Sequence, residues 1–524
     1  MRISTLRVFT VLVFIAGLCT VAGAQAFRVQ CPVTTSLHPA SSPTGQPYTG
    51  PVPVADAGTG LTYVSNGGRV KCQQVSGGDG YATMGDGTQT YLFAFGPLSG
   101  LADISNALPG TETANIFNTL APGNLQVGDP ATTVSGGGSF TYNGAVGLAP
   151  DPDAGGVVDG HVDPRPIMDV GVMNGNMPAP LMAIDEDDEF FLTLSNVGMI
   201  MRPDLFEQHT IHFHGYPNAS SFYDGVPDAS VAINIGGSMT YYYLAPDAGT
   251  YFWHCHITPP EHLQMGMVGQ LYVRPRQNRV PVGNSLYASL QKQQIDPRTA
   301  SNCATDILCT TPLPTTDNNV VQSIDTLNGN KPYTYAYNDG DGSTRYDVEY
   351  PIQIHGFDPN FHFVGMTFNP EGFADIKDKY FLLNGRSYPD TMSAGPMQTP
   401  SSDGTMHDSQ PLPSIINIPA GGRALLRISD LDVSEFQTLA SLGIPMQVIA
   451  VNARLLRDEA GNNLYYNTNS ITLGGGESID VILDASDTNK YKSGSVFYLY
   501  TPNLDHLSND AENFGGLMTE VNIL

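Results

Sequence analysis

Hydrophobic positions along this chain come in short runs that alternate with polar positions, and turn-forming residues separate the runs. Residues 88–95 (Thr-Gln-Thr-Tyr-Leu-Phe-Ala-Phe) are an example that predicts a strand. Val, Ile, Thr, Tyr and Phe dominate such runs, whereas helical periodicity is scarce. With 56 Gly, 39 Pro and 14% charged residues, the pattern is typical of β-sandwiches. It predicts an all-β protein, and 524 residues suffice for two or three domains with their own cores.

The N-terminus has the three regions of a secretory signal. A basic start, Met-Arg-Ile-Ser-Thr-Leu-Arg, precedes an apolar run from Val8 and then Ala24-Gln25-Ala26. We expect cleavage after Ala26 and a secreted protein, periplasmic or extracellular. A membrane anchor is the alternative, which the short run and its small residues disfavour. No later segment is apolar enough to predict a membrane span in the mature chain.

Two histidine-rich segments lie within one stretch of 59 residues, 209–267. The first, 209–215, reads His-Thr-Ile-His-Phe-His-Gly, and the second, 253–267, begins Trp-His-Cys-His and continues to a further His and a Met. Two imidazoles, a thiolate and a weak axial thioether are the ligands of a blue copper centre. His209, Cys255, His262 and Met267 supply this set.

His212, His214, His254 and His256 form a second candidate group. His254 and His256 flank Cys255, and alternate residues of a strand share a face, so both are predicted to point away from the sulfur. His212 and His214 alternate in the same way. The spacing predicts a second copper site joined to the first through Cys255. The alternative is that these histidines are satisfied core residues or scattered surface residues.

These segments resemble those of the multicopper oxidase family, and their wording is similar to ceruloplasmin-like and laccase-like members. The resemblance implies tandem cupredoxin-like (plastocyanin-like) Greek-key β-sandwiches with an N-terminal β/loop extension. It makes the first set type 1 copper ligands, assigns His212 to type 2 copper, and assigns His214, His254 and His256 to the type 3 pair. The loop before His262 is two residues longer than in the usual laccase pattern.

The resemblance extends over roughly residues 165–524 and implies a domain organisation. Segments 174–180, 224–227 and 266–275 resemble a first cupredoxin domain, and 381–391, 443–450, 476–480 and 515–519 resemble a second. The predicted units are a signal peptide (1–26), a Gly/Ser/Thr-rich extension packed on the first domain (27–164), a copper-binding cupredoxin domain (165–276), a connecting segment (277–345) and a second cupredoxin-like domain without evident copper ligands (346–524).

Five cysteines remain once the signal is removed. Assigning Cys255 to copper leaves four, which we predict to pair as Cys31–Cys72 and Cys303–Cys309 in an oxidising compartment. Four free thiols are the alternative, since connectivity cannot be derived from the sequence.

Three acidic residues are candidates for handling protons or cations. Glu207 and Glu261 lie beside type 1 ligands and either accept a proton, hold a metal-ion donor, or serve only as rim charges. Asp224 occupies the position where the resemblance implies a carboxylate near the oxygen site, although Asp-Gly is also a frequent turn pair. The net charge of −27 disfavours nucleic acid and anionic membranes and favours a neutral or cationic reductant, unless it only confers solubility.

The resemblance implies eight imidazoles around the oxygen site, from two domains, and this chain shows only four in the family's spacing. The other histidines form no His-x-His pair; they are His38, His161, His355, His362, His407 and His506. Two chains facing each other about a two-fold axis would supply eight. A trimeric ring using His355, His362 or His506 of a neighbour, a partner protein, or a mono- or dinuclear copper site are the alternatives.

The predicted function is a secreted copper oxidase. A metal ion, phenol or amine is oxidised by one electron at the type 1 copper, and oxygen is reduced at a histidine-bound cluster completed by oligomerisation. One alternative is a type 1 copper protein that transfers electrons or binds copper without reducing oxygen. A copper nitrite reductase-like enzyme is another, disfavoured because His-Cys-His replaces the single histidine expected beside its cysteine.

Overall fold

The computed structural model describes residues 28–35, 38, 52–55, 62–65, 69–121, 142–216, 220–245, 247–293, 311–367, 372–402, 404 and 406–524. The predicted signal peptide and the predicted Cys303–Cys309 pair lie outside the described residues. No helix in the described ranges is long and apolar enough to cross a membrane.

Strands make up most of the regular structure. Those of the N-terminal half are β1 (Val52–Ala55), β2 (Thr62–Ser65), β3 (Val70–Thr83), β4 (Gln89–Pro97), β5 (Glu112–Thr113), β6 (Met182–Asp185), β7 (Glu189–Gly198), β8 (His212–Phe213), β9 (Ser238–Leu244), β10 (Gly249–His254) and β11 (Val268–Arg274). Short helices are α1 (Leu101–Ile104), α2 (Ala114–Phe117), α3 (Pro164–Gly171), α4 (Pro259–Gln264), α5 (Leu286–Gln293) and α6 (Pro359–Met366).

The C-terminal half continues the strand pattern. Its strands are β12 (Ile324–Asp325), β13 (Lys331–Pro332), β14 (Thr334–Tyr335), β15 (Arg345–Tyr346), β16 (Val348–Phe357), β17 (Tyr380–Leu383), β18 (Met397–Pro400), β19 (Met406–Gln410), β20 (Ile416–Ile418), β21 (Arg423–Asp430), β22 (Gln437–Leu442), β23 (Met446–Val451), β24 (Arg454–Leu455), β25 (Tyr466–Thr468), β26 (Ser470–Leu473), β27 (Ser478–Asp484), β28 (Val496–Tyr500) and β29 (Met518–Ile523). The all-β prediction is confirmed.

The first sandwich consists of two sheets over one core. One sheet has the strand order β4-β3-β7-β9, with β5 paired to β3, and the other has the order β6-β11-β10-β8. Aromatic side chains from both sheets meet between them, among them Phe95 of β4, Tyr241 of β9 and Trp253 of β10. Cys255 belongs to the same buried cluster, so the end of β10 delivers the thiol into the core.

Strands β3 and β4 come from the segment predicted as an N-terminal extension. β3 runs parallel to β7, from the pair Val70 and Glu189 onward, and antiparallel to β4. Both strands are therefore hydrogen-bonded into the sheet of the first sandwich, and β4 confirms the strand predicted at 88–95. The predicted disulfide Cys31–Cys72 is also confirmed, and it fastens the start of the described chain to β3.

The second sandwich packs against the sheet that carries β10. Its larger sheet has the order β17-β16-β21-β27-β23-β24, with β25 on β23, and its smaller sheet has the order β20-β29-β28-β22-β26. β29 alternates half-buried and buried residues, as a strand with one core-facing side does. β10 is held from this side, because Thr250 donates to Asp480 Oδ1 at 2.6 Å.

Candidate metal centre

Three of the four residues predicted as blue copper ligands converge in the core of the first sandwich. The ligand atoms of His209, Cys255 and His262 lie within 4.8 Å of one another, and all three residues are fully buried. Nδ1 of His262 is 3.3 Å and Nδ1 of His209 is 4.0 Å from Sγ of Cys255. The backbone N–H of Thr210 points at the same sulfur from 3.4 Å. Two ring nitrogens and a thiol therefore face a common point.

Met267 lies at the same site, next to a glycine that sequence reasoning missed. The Met267 N–H donates to the carbonyl of His262 at 2.8 Å, and the Cys255 N–H donates to the carbonyl of Met267 at 3.1 Å. A Cβ added to Gly77 of β3 would lie 2.7 Å from Cδ2 of His209 and 3.3 Å from Cε of Met267. The site therefore needs glycine at this position, and the available signal was the Gly77-Gly78 pair, because glycine inside a strand often marks a close approach of other groups.

The electrostatics of this site favour the thiolate. Burial by itself raises the pKa of Cys255, but His262 and His209 more than compensate and hold that pKa well below its usual value. Burial lowers the pKa of His262, while the neighbouring thiolate and Glu207 raise it, with a result of about 9. The thiolate is the form that binds metal, and binding displaces the imidazole proton. The donor set of two imidazoles, a thiolate and a thioether fits copper.

The two glutamates predicted at this site lie at its outer side. Oε2 of Glu207 is 3.6 Å from Nε2 of His262, and hydrogen bonding to that ring lowers the pKa of Glu207. Glu261, in the first turn of α4, is half-buried, and this burial raises its pKa. Glu207 therefore lies against the His262 ring, and Glu261 directly precedes His262 in the chain.

The predicted second site is present as a cluster of imidazoles beside the first. Ligand atoms of His212, His214 and His254 lie within 4.8 Å of one another. The ring of His256 is 5.1 Å from that of His212, centroid to centroid. Pairing of β8 with β10 sets His212 directly opposite His254, so one face of two adjacent strands gathers the rings.

Backbone carbonyls determine which nitrogen of each ring faces the cluster. In three rings Nδ1 lies beside a carbonyl oxygen: His212 at 2.7 Å from that of Asp224, His214 at 3.3 Å from that of Gly476, and His254 at 2.6 Å from that of Cys255. A carbonyl only accepts, so each Nδ1 carries the proton and each Nε2 presents a lone pair.

The lone pairs of the Nε2 atoms that face the cluster favour a bound cation. Nε2 of His214 and Nε2 of His254 are 3.0 Å apart, too close for two lone pairs unless a positive charge lies between or beside them. Burial, with the nearby His212, lowers the pKa of His214 to about 4, and burial lowers that of His254 well below its ordinary value. The rings of His214 and His254 are therefore neutral near pH 7 and available to a metal ion. Carbonyl-oriented imidazoles of this kind are typical of metal ligands.

Asp224 lies beside His212 of the cluster, within a turn. Its carboxylate Oδ1 is 3.6 Å from Nδ1 of His212. Gly225, which follows it, has φ of +80° and packs on the carbonyl of Ile211. The turn thus holds a half-buried carboxylate beside the Nδ1 side of the His212 ring.

The cluster is open toward the outside of the chain. His254 is buried, whereas His212, His214 and His256 are half-buried. A pocket of about 250 Å³ adjoins it between the two sandwiches, large enough for a small molecule. Its lining residues are His214, Gly215, Thr250, Phe252, Asn452, Gly476 and Ser478.

The histidines that a neighbouring chain was thought to donate are not accessible. His355, His362 and His506 are at most 3% exposed. His355 donates to the carbonyl of Leu263, and His506 bonds Gln437 and Glu435. Their burial contradicts the ring alternative in which they complete another chain's copper site.

Comparisons with known proteins find similarity to copper proteins in the region that contains both groups of candidate ligands. Residues 158–278 match the family model described as multicopper oxidase. Laccase abr2 of Aspergillus fumigatus is 34% identical over 109 residues, which are 20% of this chain and 17% of that protein. A copper-containing nitrite reductase of Rhizobium meliloti is 34% identical over 119 residues, 22% of this chain and 28% of that protein. The matched region thus spans less than a third of either relative.

Among solved structures, the chain is similar to a blue copper oxidase from Nitrosomonas europaea. The superposition covers 86% of this chain and 85% of that one, with a TM-score of 0.47 and 17% identity.

Proposed function

We propose that the protein is a secreted copper oxidase, on the premise that residues 158–278 match the family model described as multicopper oxidase. It oxidises a metal ion, phenol or amine by single electrons at the Cys255 site and reduces oxygen at the histidine cluster. The observation that carries the proposal is the adjacency of the two donor sets. Cys255 belongs to one, and its two sequence neighbours, His254 and His256, belong to the other.

Copper bound at these residues would supply the one-electron chemistry that both half-reactions need. The chain's own contribution is to bind, orient and exclude water. His209, Cys255 and His262 are shielded from solvent, which keeps the thiolate from other reactions. Peptide bonds alone separate Cys255 from His254 and His256, so the two sites are joined by a short covalent path.

The residues at the rims are suited to the two substrates. Glu207 and Glu261 border His262 and favour a cationic or hydrogen-bonding reductant, in line with the net charge of −27. Asp224 beside His212 can supply protons to reduced oxygen.

Completion of the cluster requires another chain. Reduction of oxygen to water takes more electrons than one copper ion holds, and all twelve histidines lie in the described part of the chain. Outside the ligand motifs they are buried, apart from the half-buried His161. A second copy can therefore offer accessible imidazoles mainly from the same face: His212, His214 and His256. Two copies meeting through one face are related by a two-fold axis, so we propose a dimer.

A nitrite reductase is the second candidate function. The nitrite reductase relative is matched as closely as the laccase, at 34% identity, and the open cluster of His212, His214 and His254 has enough donors for a single copper ion. This candidate predicts about two coppers per chain and reduction of nitrite rather than oxygen.

The test is copper per chain measured together with the solution mass of the copper-loaded protein. The oxidase predicts a dimer with about two and a half coppers per chain, from two type 1 ions and one shared three-copper cluster, and oxygen uptake with a reductant. His214→Ala is the matched variant, which loses the cluster copper but keeps the blue site. A monomer with about one copper and no oxygen uptake would refute the oxidase and leave an electron carrier.

A further inference from the structure

The helix that carries His262 has few features that would stabilise it in isolation. α4 has only six residues and no side-chain cap at its N-terminus, and isolated helices of this length do not persist in water. It begins after Thr258, a β-branched residue in the left-handed region with φ of +37°, which is an unfavourable conformation. Contacts from elsewhere must therefore hold α4 in place.

Two histidines of the second half bond the C-terminal carbonyls of α4. Nε2 of His355, on β16, is 3.0 Å from the carbonyl oxygen of Leu263. Nε2 of His362, on α6, is 2.9 Å from that of Gln264. The carbonyl of Leu263 also accepts from the backbone N–H of Gly266 at 3.0 Å, and carbonyls in the last turn of a helix can accept from histidine N–H groups. Both rings are at most 1% exposed, so water does not replace these bonds.

The side chain of Gln264 is engaged from the same direction. Its Nε2 donates to Oδ1 of Asp378 at 3.0 Å, and its Oε1 accepts from the backbone N–H of Asp358 at 2.9 Å. Gln264 is completely buried. Every polar group of this residue beyond its own N–H is thus bonded to the second half of the chain.

Helix α6 also packs directly on the turn between His262 and Met267. Phe361 of α6 joins the buried cluster of the first sandwich that contains Cys255, Met265 and Met267. A Cβ on Gly365 would lie 3.3 Å from Sδ of Met265, so the helix backbone lies against this turn. On its other side Nδ1 of His362 is 2.5 Å from the carbonyl oxygen of Tyr91 on β4. Burial lowers the pKa of His362 to about 3, so the ring is neutral, has a single N–H, and lies between the carbonyls of Tyr91 and Gln264 while donating to one of them.

We infer that the second half of the chain, whose described residues include no group of candidate copper ligands, positions the ligands of the Cys255 site. His355, Asp358, His362 and Asp378, here called the α4 clamp, fix α4 and with it the His262 ring and Met267. His355 and His362 are positioning residues and not metal ligands. The inference rests on the copper-binding part of the proposed function, because positioning matters only if the site binds metal.

The test compares two buried histidines that stack on phenylalanines. His362 stacks on Phe357, with ring centroids 3.5 Å apart, and bonds α4. His506 stacks on Phe381 at 4.0 Å and bonds only Gln437 and Glu435 among the contacts described. His362→Phe and His506→Phe each keep a ring and remove the donors. The second variant controls for loss of stability that has nothing to do with α4.

Two readouts follow α4 and the metal site separately. In the metal-free chain, amide hydrogen exchange of residues 261–267 is expected to be about tenfold faster in His362→Phe and unchanged in His506→Phe. After Cu(II) loading, the thiolate-to-copper absorption and the EPR spectrum are expected to change only in His362→Phe. His362→Gln, which restores one N–H donor, is expected to recover part of both signals.

Equal exchange and equal spectra in the His362→Phe and His506→Phe variants would overturn the inference. If His362→Phe does not fold, Gln264→Met removes only the side-chain bonds of the clamp and is held to the same expectations. If the wild-type chain binds no copper, the proposed function fails, whereas the exchange measurement on the metal-free chain still decides whether the clamp holds α4.

Discussion

Replacing Gly77 by alanine is expected to damage the Cys255 site without touching a ligand. The new Cβ would lie 2.7 Å from Cδ2 of His209, and ordinary contacts start at 3.4 Å, so the ring must move by 3.4 − 2.7 = 0.7 Å. Gly77 cannot retreat, because β3 is paired on both sides, opposite Phe95 and Asn196. The φ of Gly77 lies outside the left-handed region, so the effect is steric only.

A shift of this size exceeds what a metal site tolerates. Ligand distances in metal sites are held within about 0.2 Å, and the His209 ring is buried against His262, with centroids 5.3 Å apart. We expect Gly77→Ala to lower the affinity for Cu(II) at this site at least about tenfold, as loss of supporting contacts does. Overpacking is expected to cost about 1–3 kcal/mol of folding stability.

The assay is titration of the metal-free chain with Cu(II), followed by the blue absorption band, alongside urea unfolding. Gly395→Ala is the matched control, because a Cβ there has no atom within 4 Å. A folded Gly77→Ala protein with the affinity and spectrum of the wild type would refute the steric reasoning.

Three further outcomes are expected. Cys255→Ser should abolish the blue band and remove about one copper per chain while cluster copper remains, since a hydroxyl is too hard a ligand to replace the thiolate; retained blue colour in elemental and spectral analysis would contradict this. Burial and the neighbouring carboxyl groups raise the pKa of Asp378 to about 8, so the folded chain holds a proton that the unfolded chain releases above about pH 4. The contribution of Asp378 to the free energy of unfolding is therefore fully present at low pH and is lost as pH rises toward 8. Urea unfolding at pH 5 and pH 8 should show a smaller decrease in the free energy of unfolding for Asp378→Asn than for the wild type. Replacing Cys31 and Cys72 by alanine opens a 41-residue separation and should cost roughly 2–5 kcal/mol in chemical unfolding, and a change below 1 kcal/mol would show that this link is dispensable.

Much of the candidate metal centre could be predicted from the sequence, because several of its ligands are close neighbours along the chain. His254 and His256 flank Cys255, and the alternation of a strand is enough to send their rings to the side opposite the sulfur. The pairing of His212 with His254 then follows from two adjacent strands of one sheet. The all-β fold was readable for the same reason, since alternation has a period of two residues whatever lies beyond the strand.

The N-terminal segment shows where local reasoning stopped. The strand at 88–95 was predicted, but β3 was not, and its parallel pairing with β7 joins residues more than a hundred positions apart, which no pattern within either strand specifies. The steric demand on Gly77 depends on that pairing, because only the assembled sheet brings this glycine against His209.

The sequence by itself determined the ligand types, their spacing and the shortage of imidazoles, whereas the pairing of Cys31 with Cys72 was a prediction that the structure confirmed. Only the tertiary structure decided that His355 and His362 are buried behind α4 and unable to serve another chain. His362 meets the carbonyl of Tyr91 across 271 positions, a contact set by the packing of two sandwiches. The types and spacing of the ligands depend on residues that are close in sequence, whereas the solvent accessibility of a side chain depends on every element that packs around it.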